Sequence, residues 1–141
     1  KAASNLSNFL VNEIPIQQPS DLSRLDTALS GMDALFLPIG KAIEDNFASV
    51  HYYAEERNLP IIASHIPNIA AGALGGVCAN HYKLGYGCSD IAVRVFEGID
   101  PGIIPVSIVR EPDIILNRQA AANLGLVVPD HLLSAAAEIF E

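Results

Sequence analysis

The sequence predicts a three-layer α/β domain built around a mainly parallel sheet. Short apolar runs of strand type alternate with amphipathic helices through the first half of the chain, and this alternation is typical of parallel sheets with right-handed crossovers. Half of the 141 residues are hydrophobic and 17% are charged, which is the composition of a globular chain with one core. We therefore expect residues 1–141 to form a single lobe.

Three segments predict the first strands of that sheet. Asn8–Gln17 is β-prone and partly alternating. Asp33–Pro38 and Leu59–Ser64 are short apolar runs of the kind that form buried parallel strands. The predicted strands are adjacent, parallel and centred on Ile14, Leu35 and Ile61.

Helices are predicted between these strands by apolar residues spaced three and four apart. A helix that begins near Ser20 and stops before Gly31 places three leucines on one face, and a second helix places four apolar residues on one face. The first set is Leu22, Leu25 and Leu29, and the second is Ile43, Phe47, Val50 and Ala54.

The second half predicts three further helices and two extended segments. The long helix Tyr82–Glu97 ends at Gly98, and Gln119–Leu124 ends at Gly125, in keeping with glycine just past a helix end. Pro129 suits the first position of a last helix. That last helix would turn Leu132, Leu133, Ala136 and Phe140 towards the core. The extended segments are Ile103–Val109 and Asp113–Leu116.

The ends of the three predicted strands mark the candidate site, because parallel α/β sheets bind ligands beyond the carboxyl ends of their strands. The corresponding segments are Gln17–Ser20, Pro38–Lys41 and Ser64–Asn68. Polar groups that converge there can orient a small molecule. The candidate ligand-binding residues are Gln18, Gly40, Lys41, Ser64, His65 and Asn68.

Two of these assignments have plainer alternatives. Lys41 follows a strand, where its ammonium suits a ligand carboxylate, but it also fits a solvated surface lysine. The polar residues Ser64, His65 and Asn68 fit ligand contacts and equally fit ordinary loop and helix-cap chemistry.

Catalytic and phosphate-binding motifs are missing from the sequence, so we expect no enzyme. Ser64 and His65 are adjacent and would point to opposite faces of a strand. There is no Gly-x-Ser-x-Gly elbow and no Walker-type phosphate loop, and Gly85-Tyr86-Gly87 lacks the context of a dinucleotide fingerprint.

Metal, cofactor and nucleic-acid binding also lack support. Cys78, His81 and Cys88 supply only three candidate ligands with no recurrent spacing, so we expect no metal and no cofactor. The two cysteines are too few to settle whether they pair or which redox compartment holds them. The net charge is −8 with eight scattered basic residues, which argues against nucleic acid.

No segment of the sequence has the length of a membrane span. The longest apolar runs, including Ile103–Val109 and Leu124–Pro129, fall far short of the ~20 residues that a bilayer requires. The sequence opens at Lys1 without a methionine or a signal peptide, from which we expect the chain to be cut from something longer.

Several stretches, in order and with agreeing spacing, carry a resemblance that extends over nearly the whole chain from Asp21 onward. They are Met32–Pro38, Leu59–Ser64, Ala71–Leu74, Tyr82–Gly85, Val95–Val106, Ile114–Ala122, Leu124–Pro129 and Leu132–Ala137. Together they resemble the substrate-binding proteins of ABC importers, which have the type I periplasmic-binding fold. The chain is similar to the carboxy-terminal half of such a protein.

The resemblance implies a function and a setting. It implies the solute-binding component of an ABC importer, which captures an amino-acid-like or other small organic solute in a cleft between two lobes. A first lobe would then be missing, and the partners would be permease subunits. The location would be periplasmic, or extracytoplasmic and membrane-associated in a Gram-positive host. The same fold would also suit the ligand-sensing domain of a membrane signalling receptor, which is the alternative.

One departure from the family bears on specificity. Where the family carries an acidic residue and an amide after the second strand, this sequence has Gly40 and Lys41. A carboxylate there would pair with a ligand ammonium, so its absence favours an anionic or neutral solute.

The family resemblance also implies that residues 82–97 belong with the missing lobe. The apolar face of that helix, with Leu84, Ile91 and Val95, would then lack its neighbour in this chain. We expect a homodimer that covers the helix, or a dimer that exchanges it between copies.

Overall fold

Five strands form one sheet in the structure, a computed structural model that describes residues 9–108 and 111–141. The strands lie side by side in chain order, β1 to β5. The first three are parallel, β4 is antiparallel to β3, and β5 is parallel to β4. This mainly parallel sheet with flanking helices confirms the predicted fold class. The strands are β1 (Leu35–Leu37), β2 (Ile61–Ala63), β3 (Gly75–Cys78), β4 (Asp113–Asn117) and β5 (Ala136–Phe140).

Seven α-helices are found in the described residues, together with 3-10 helices at Pro19–Arg24 and Pro101–Ile103. The predicted helix around Ile43–Ala54 is broken at Asn46, whose side-chain amide donates to the carbonyl of Ala42. The α-helices are α1 (Leu25–Ala28), α2 (Lys41–Glu44), α3 (Phe47–Glu55), α4 (Ile66–Ala70), α5 (His81–Phe96), α6 (Arg118–Asn123) and α7 (Asp130–Ala135).

The core lies between the sheet and the early helices. The predicted apolar faces are confirmed, because Leu25 and Leu29 of the first helical segment and Val50 of α3 are buried. They pack with Ile61 of β2 and Ile115 of β4 in one cluster. Each fully buried aliphatic side chain of this kind contributes ~1.5–3 kcal/mol to folding, so this cluster fixes how the strands are placed.

The predicted strand around Ile14 is wrong. Residues 9–17 form no strand, and among the described residues β1 is an edge of the sheet. Ile14 and Ile16 nevertheless pack against the core on alternate positions. Pro15 between them has no N–H to donate to a strand ladder, which explains why the segment is extended and half-buried but unpaired. Asn8 lies outside the described residues.

Strand β3 was not predicted, because Gly75 and Gly76 at its start do not resemble the apolar, β-branched residues that favour a strand. Gly76 lies against the main chain of Ala63, and Gly75 lies against the carbonyl of Ile115. A Cβ atom at Gly75 would approach that oxygen to 2.8 Å. The glycines are therefore required where β3 passes closely between β2 and β4.

The predicted last helix is only partly correct. The helix α7 stops at Ala135, and Phe140 lies in β5 beside β4. The β-prone pair Ile139-Phe140 pairs with Leu116 and Asn117 in this strand. Tertiary pairing therefore overrides the helical spacing at this end of the chain.

The segment between β3 and β4 is the exposed part of the molecule. None of the described residues 79–108 is buried, although α5 confirms the predicted long helix and Gly98 ends it at φ +92°. The predicted extended segment Ile103–Val109 forms no strand over residues 103–108, where a 3-10 turn instead ends at Ile103. Val109 lies outside the described residues.

Candidate functional site

The carboxyl ends of β1 and β2 lie side by side at one end of the sheet, which we call the rim. The parallel register sets Leu37 beside Ala63, and the N–H of Ser64 donates to the carbonyl of Leu37 at 3.1 Å. The segments that follow these two strands therefore start side by side. The structure thus brings together the predicted residues after β1 and after β2.

Gly40 and Lys41 follow β1, and local carboxylates already contact both. Gly40 is the N-cap of α2, and its N–H donates to Oε1 of Glu44 at 3.1 Å. The Lys41 ammonium forms an ion pair with Asp45 at 2.7 Å, and this hydrogen bond raises the pKa of Lys41 above its ordinary value. The sequence offers no carboxylate directly after β1. In the structure Glu44 and Asp45, four residues further along the chain, bring their carboxylates back to Gly40 and Lys41.

Ser64 and His65 follow β2 and are both half-buried. His65 is the N-cap of α4, and its carbonyl accepts from the N–H groups of Asn68 and Ile69. The Nδ1 atom of His65 is buried and has no hydrogen-bond partner among the described residues. An unpaired buried polar atom is costly, so this imidazole is a group that a solute or a water molecule would complete.

Asn68 lies one turn into α4 and is only 4% exposed. Its carbonyl accepts from the N–H of Ala73, which ties the helix to the next loop. Its side-chain amide takes part in none of the hydrogen bonds found among the described residues. The sequence placed Asn68 in a loop, whereas the structure places it in a helix and nearly buried.

Gln18 is exposed and does not follow a strand, because residues 9–17 are unpaired. Its N–H, like that of Gln17, donates to the carboxylate of Asp21 at the start of the first 3-10 helix. No strand pairing joins Gln18 to the rim within the described residues. The reason for predicting this residue, that it ends a strand, is therefore wrong.

A polar cluster at the end of β3 was missed by sequence reasoning. Cys78 lies beside Ala63, with its sulphur 3.9 Å from the Ala63 carbonyl oxygen, so β3 ends at the same rim. Asn80 then caps α5 and its amide donates to Asp113, which begins β4. The one available signal was Asn80 itself, a good N-cap residue just before an amphipathic helix.

Two surface grooves of about 430 and 510 Å³ lie elsewhere on the lobe. Neither is lined by any of the six predicted residues. The first groove is lined in part by Ile61, which begins β2, and by Asn117, which ends β4. Both residues lie at the end of the sheet opposite the rim. Both grooves therefore lie away from the rim, where Ile39 and Lys41 are exposed.

The remaining chemistry of the described residues is sparse. They contain no group of three or more side chains that could hold a metal ion. Cys78 is buried and Cys88 is exposed, and both are free thiols. Burial raises the pKa of the Cys78 thiol, which makes it a poor nucleophile. None of the helices in the described part of the chain is both long enough and apolar enough to cross a bilayer.

The rim lies at the carboxyl ends of parallel strands, where sheets of this kind bind ligands, and comparisons with known proteins show the family. The chain belongs to the ABC transporter substrate binding protein family, whose model matches residues 1–140. Proteins of this family bind a substrate without transforming it, which confirms the expectation that the chain is not an enzyme.

Individual proteins of known structure or function are also similar to the chain in sequence or in fold. The tyrosine-binding protein of Clostridioides difficile is 32% identical over 121 residues, which cover 85% of this chain and 35% of that protein. Two solved structures match 99% of the chain. One is an ABC domain in complex with L-Trp from Streptococcus pneumonia, with a TM-score of 0.87, 23% identity and 48% of that chain covered. The other is a ligand-free, open substrate binding protein with adhesive properties from Clostridium difficile, with a TM-score of 0.78, 25% identity and 47% covered.

The chain therefore spans about half the length of the solved structures it matches and about a third of the curated relative.

Proposed function

We propose that this chain is one lobe of a solute-binding protein that captures an amino-acid-like or other small organic solute at the rim. The observation that carries the proposal is the convergence of His65 and Asn68 beside the end of β1. The Nδ1 atom of His65 is buried without a hydrogen-bond partner among the described residues, Asn68 is a nearly buried amide one turn further on, and a buried polar group gains most when a ligand pairs with it. The 32% identical relative is named for binding tyrosine, which supports an amino-acid-like solute.

The proposed contact residues are the six predicted ones, with unequal support. Ser64, His65, Asn68 and Gly40 lie together after β1 and β2. Lys41 is engaged by Asp45, so a solute carboxylate would have to compete with that ion pair. Gln18 rests on its place in the sequence alone.

A second lobe would supply the other wall of the cleft. The chain covers about half of each matched structure, and both grooves of the described residues lie away from the rim. Helix α5 would belong with that second lobe. None of its residues is buried, and no other part of the described chain lies within 4 Å of where Gly85 or Gly87 would carry a Cβ. Glycine inside a helix costs ~1 kcal/mol relative to alanine, and a close neighbour on that face would explain why two are present.

The partner of the whole protein would be the permease of an ABC importer, and its location would be extracytoplasmic. Both proposals rest on the family to which the chain belongs. In this arrangement the lobes close around the solute by a hinge motion and present it to the permease.

Isothermal titration of the full-length protein with L-tyrosine and L-tryptophan tests the function. We expect His65→Ala and Asn68→Ala each to weaken binding about tenfold, because one hydrogen bond in a desolvated site is worth ~1–1.5 kcal/mol. Asn123→Ala is the matched control, since Asn123 is exposed on α6 at the opposite edge of the sheet. Unchanged affinity in both rim variants would show that the rim is not the site.

The alternative of a ligand-sensing receptor domain uses the same rim. The full-length sequence separates the two, because a receptor would carry a membrane span and an output domain after this lobe.

A further inference from the structure

The chain leaves the sheet and returns to it at one point of the rim. Cys78 ends β3 and Asp113 begins β4, and the two residues are direct antiparallel partners. Between them none of the described residues 79–108 is buried. A long exposed segment is thus attached to the sheet by two neighbouring strand ends.

Polar contacts tie the start of that segment to its end. The side-chain amide of Asn80 donates to Oδ2 of Asp113, and the ammonium of Lys83 lies 3.4 Å from Oδ1 of the same carboxylate. The oxygen of the Asn80 side chain accepts from the N–H of Lys83 at 2.9 Å, which caps α5. Both carboxylate oxygens of Asp113 are therefore engaged by the first turn of α5. Glu111 adds a longer contact, 3.9 Å from Lys83.

The contacts around Asp113 are of a kind that can break and reform. The side chain of Asp113 is 19% exposed and that of Lys83 is 42% exposed. Hydrogen bonds and ion pairs that water reaches are individually weak. None of the residues of α5 is buried, so the polar contacts of Asn80 and Lys83 with Asp113 are well placed to hold the first turn of α5 to the sheet.

We propose that Asn80, Lys83 and Asp113 form a hinge clasp that sets the orientation of α5, and of the lobe it belongs to, relative to the rim. The proposal rests on the proposed function in one respect, the assignment of α5 to a second lobe. The clasp adjoins the site directly, because Cys78 contacts Ala63 and Ser64 follows at once. A change at the clasp therefore moves the opposing wall of the cleft relative to His65.

Distance measurements between two spin labels in the full-length protein test the clasp. Cys88 on α5 is exposed and accepts one label, whereas Cys78 is 2% exposed and is protected. Ser49→Cys, at an exposed position on α3, accepts the second label. Cysteines elsewhere in the full-length sequence are replaced. The label pair reports the orientation of α5 relative to the sheet.

The test variant is Asp113→Asn, which removes the charge that engages Lys83 and leaves the Asn80 cap of α5 in place. We expect the distance distribution without solute to widen or to shift by several ångströms. Lys83→Met should cause a similar change, and combining it with Asp113→Asn should add little, because both substitutions remove the same contact. The control is Glu141→Gln, which breaks a more exposed ion pair with Arg118, the first residue of α6, and leaves the contacts of α5 unchanged.

Distributions that superimpose in wild type and Asp113→Asn would overturn the clasp. So would a change accompanied by loss of helical circular dichroism, because that result would mean that α5 unravels. Failure of the proposed function is visible separately. A wild-type protein that takes up no solute in titration refutes that function, while the label distances still report on the clasp.

Discussion

Gly76 of β3 lies directly against the main-chain carbonyl of Ala63 in β2, and a Cβ atom on Gly76 would overlap that carbonyl oxygen. The neighbour is backbone inside the sheet, so it cannot turn aside as a flexible side chain can. The close approach of β2 and β3 beside the rim therefore requires a residue without a side chain at position 76.

We expect Gly76→Ala to lower the free energy of unfolding by ~2–3 kcal/mol, the cost of forcing an extra methyl group into a packed interior. Urea denaturation followed by circular dichroism measures it. In the 141-residue chain, Gly85→Ala is the control, because none of the other described residues lies within 4 Å of a Cβ at Gly85 and alanine favours a helix. Equal stability of Gly76→Ala and wild type would mean that β3 does not approach β2 as described.

The Asp21 carboxylate makes the stability of the fold depend on pH in the acid range. Hydrogen bonds from the N–H groups of Gln17 and then Gln18 hold the pKa of Asp21 below its ordinary value of 3.8, with a smaller effect of Arg24. A carboxylate whose pKa is lowered by folding stabilises the folded state above its unfolded pKa, and the contribution disappears as the pH falls through the folded value.

We therefore expect Asp21→Asn to unfold at lower urea concentration than wild type at pH 7, and the difference to shrink as the pH is lowered below 3.8. Urea titrations between pH 7 and pH 3 measure this change. Asp33→Asn, at an exposed position, should match wild type at pH 7. A difference that persists unchanged at pH 3 would assign the effect to packing of the side chain and not to its charge.

The exposed face of α5 predicts self-association of the 141-residue chain. Tyr82 and Phe96 are more than 80% exposed, and Tyr86 and Val93 are more than half exposed. Burial of each large apolar side chain is worth ~1.5–3 kcal/mol, so without a second lobe a second copy is the available cover.

Size-exclusion chromatography with light scattering should show a dimer that the double variant Tyr82→Ser and Phe96→Ser weakens. The full-length protein, in which a second lobe would cover Tyr82 and Phe96, should be monomeric without these substitutions. A monomeric 141-residue chain at every concentration would contradict the prediction and leave the fold unaffected.

Sequence patterns predicted the parts of the fold that depend on apolar periodicity. The strands at Leu35 and Ile61 and the buried face of Phe47, Val50 and Ala54 are found as expected, because each segment buries its own repeating pattern. The parallel pairing of β1 and β2 then places five of the six candidate residues after neighbouring strand ends, since the carboxyl ends of parallel strands lie at the same end of a sheet.

The remaining features depend on contacts between distant parts of the chain. Gly75 and Gly76 form a strand because their neighbours need close approach, and Pro15 prevents one where the pattern favours it. The ion pair of Lys41 with Asp45 and the hydrogen bond from Gly40 to Glu44 are, in contrast, local contacts four residues apart. The sequence offers these carboxylates at helical spacing, but the prediction considered only the residues that directly follow the strand.

Because Cys78 and Asp113 are paired, the segment between them, residues 79–112, could be removed without separating β3 from β4. Adjacent antiparallel strand ends are what a short β-turn joins, so a two-residue Asn-Gly link in place of residues 79–112 would convert β3 and β4 into an ordinary hairpin. The shortened chain would retain the whole sheet and the rim residues Gly40, Ser64, His65 and Asn68. It would present these rim residues on a scaffold without α5.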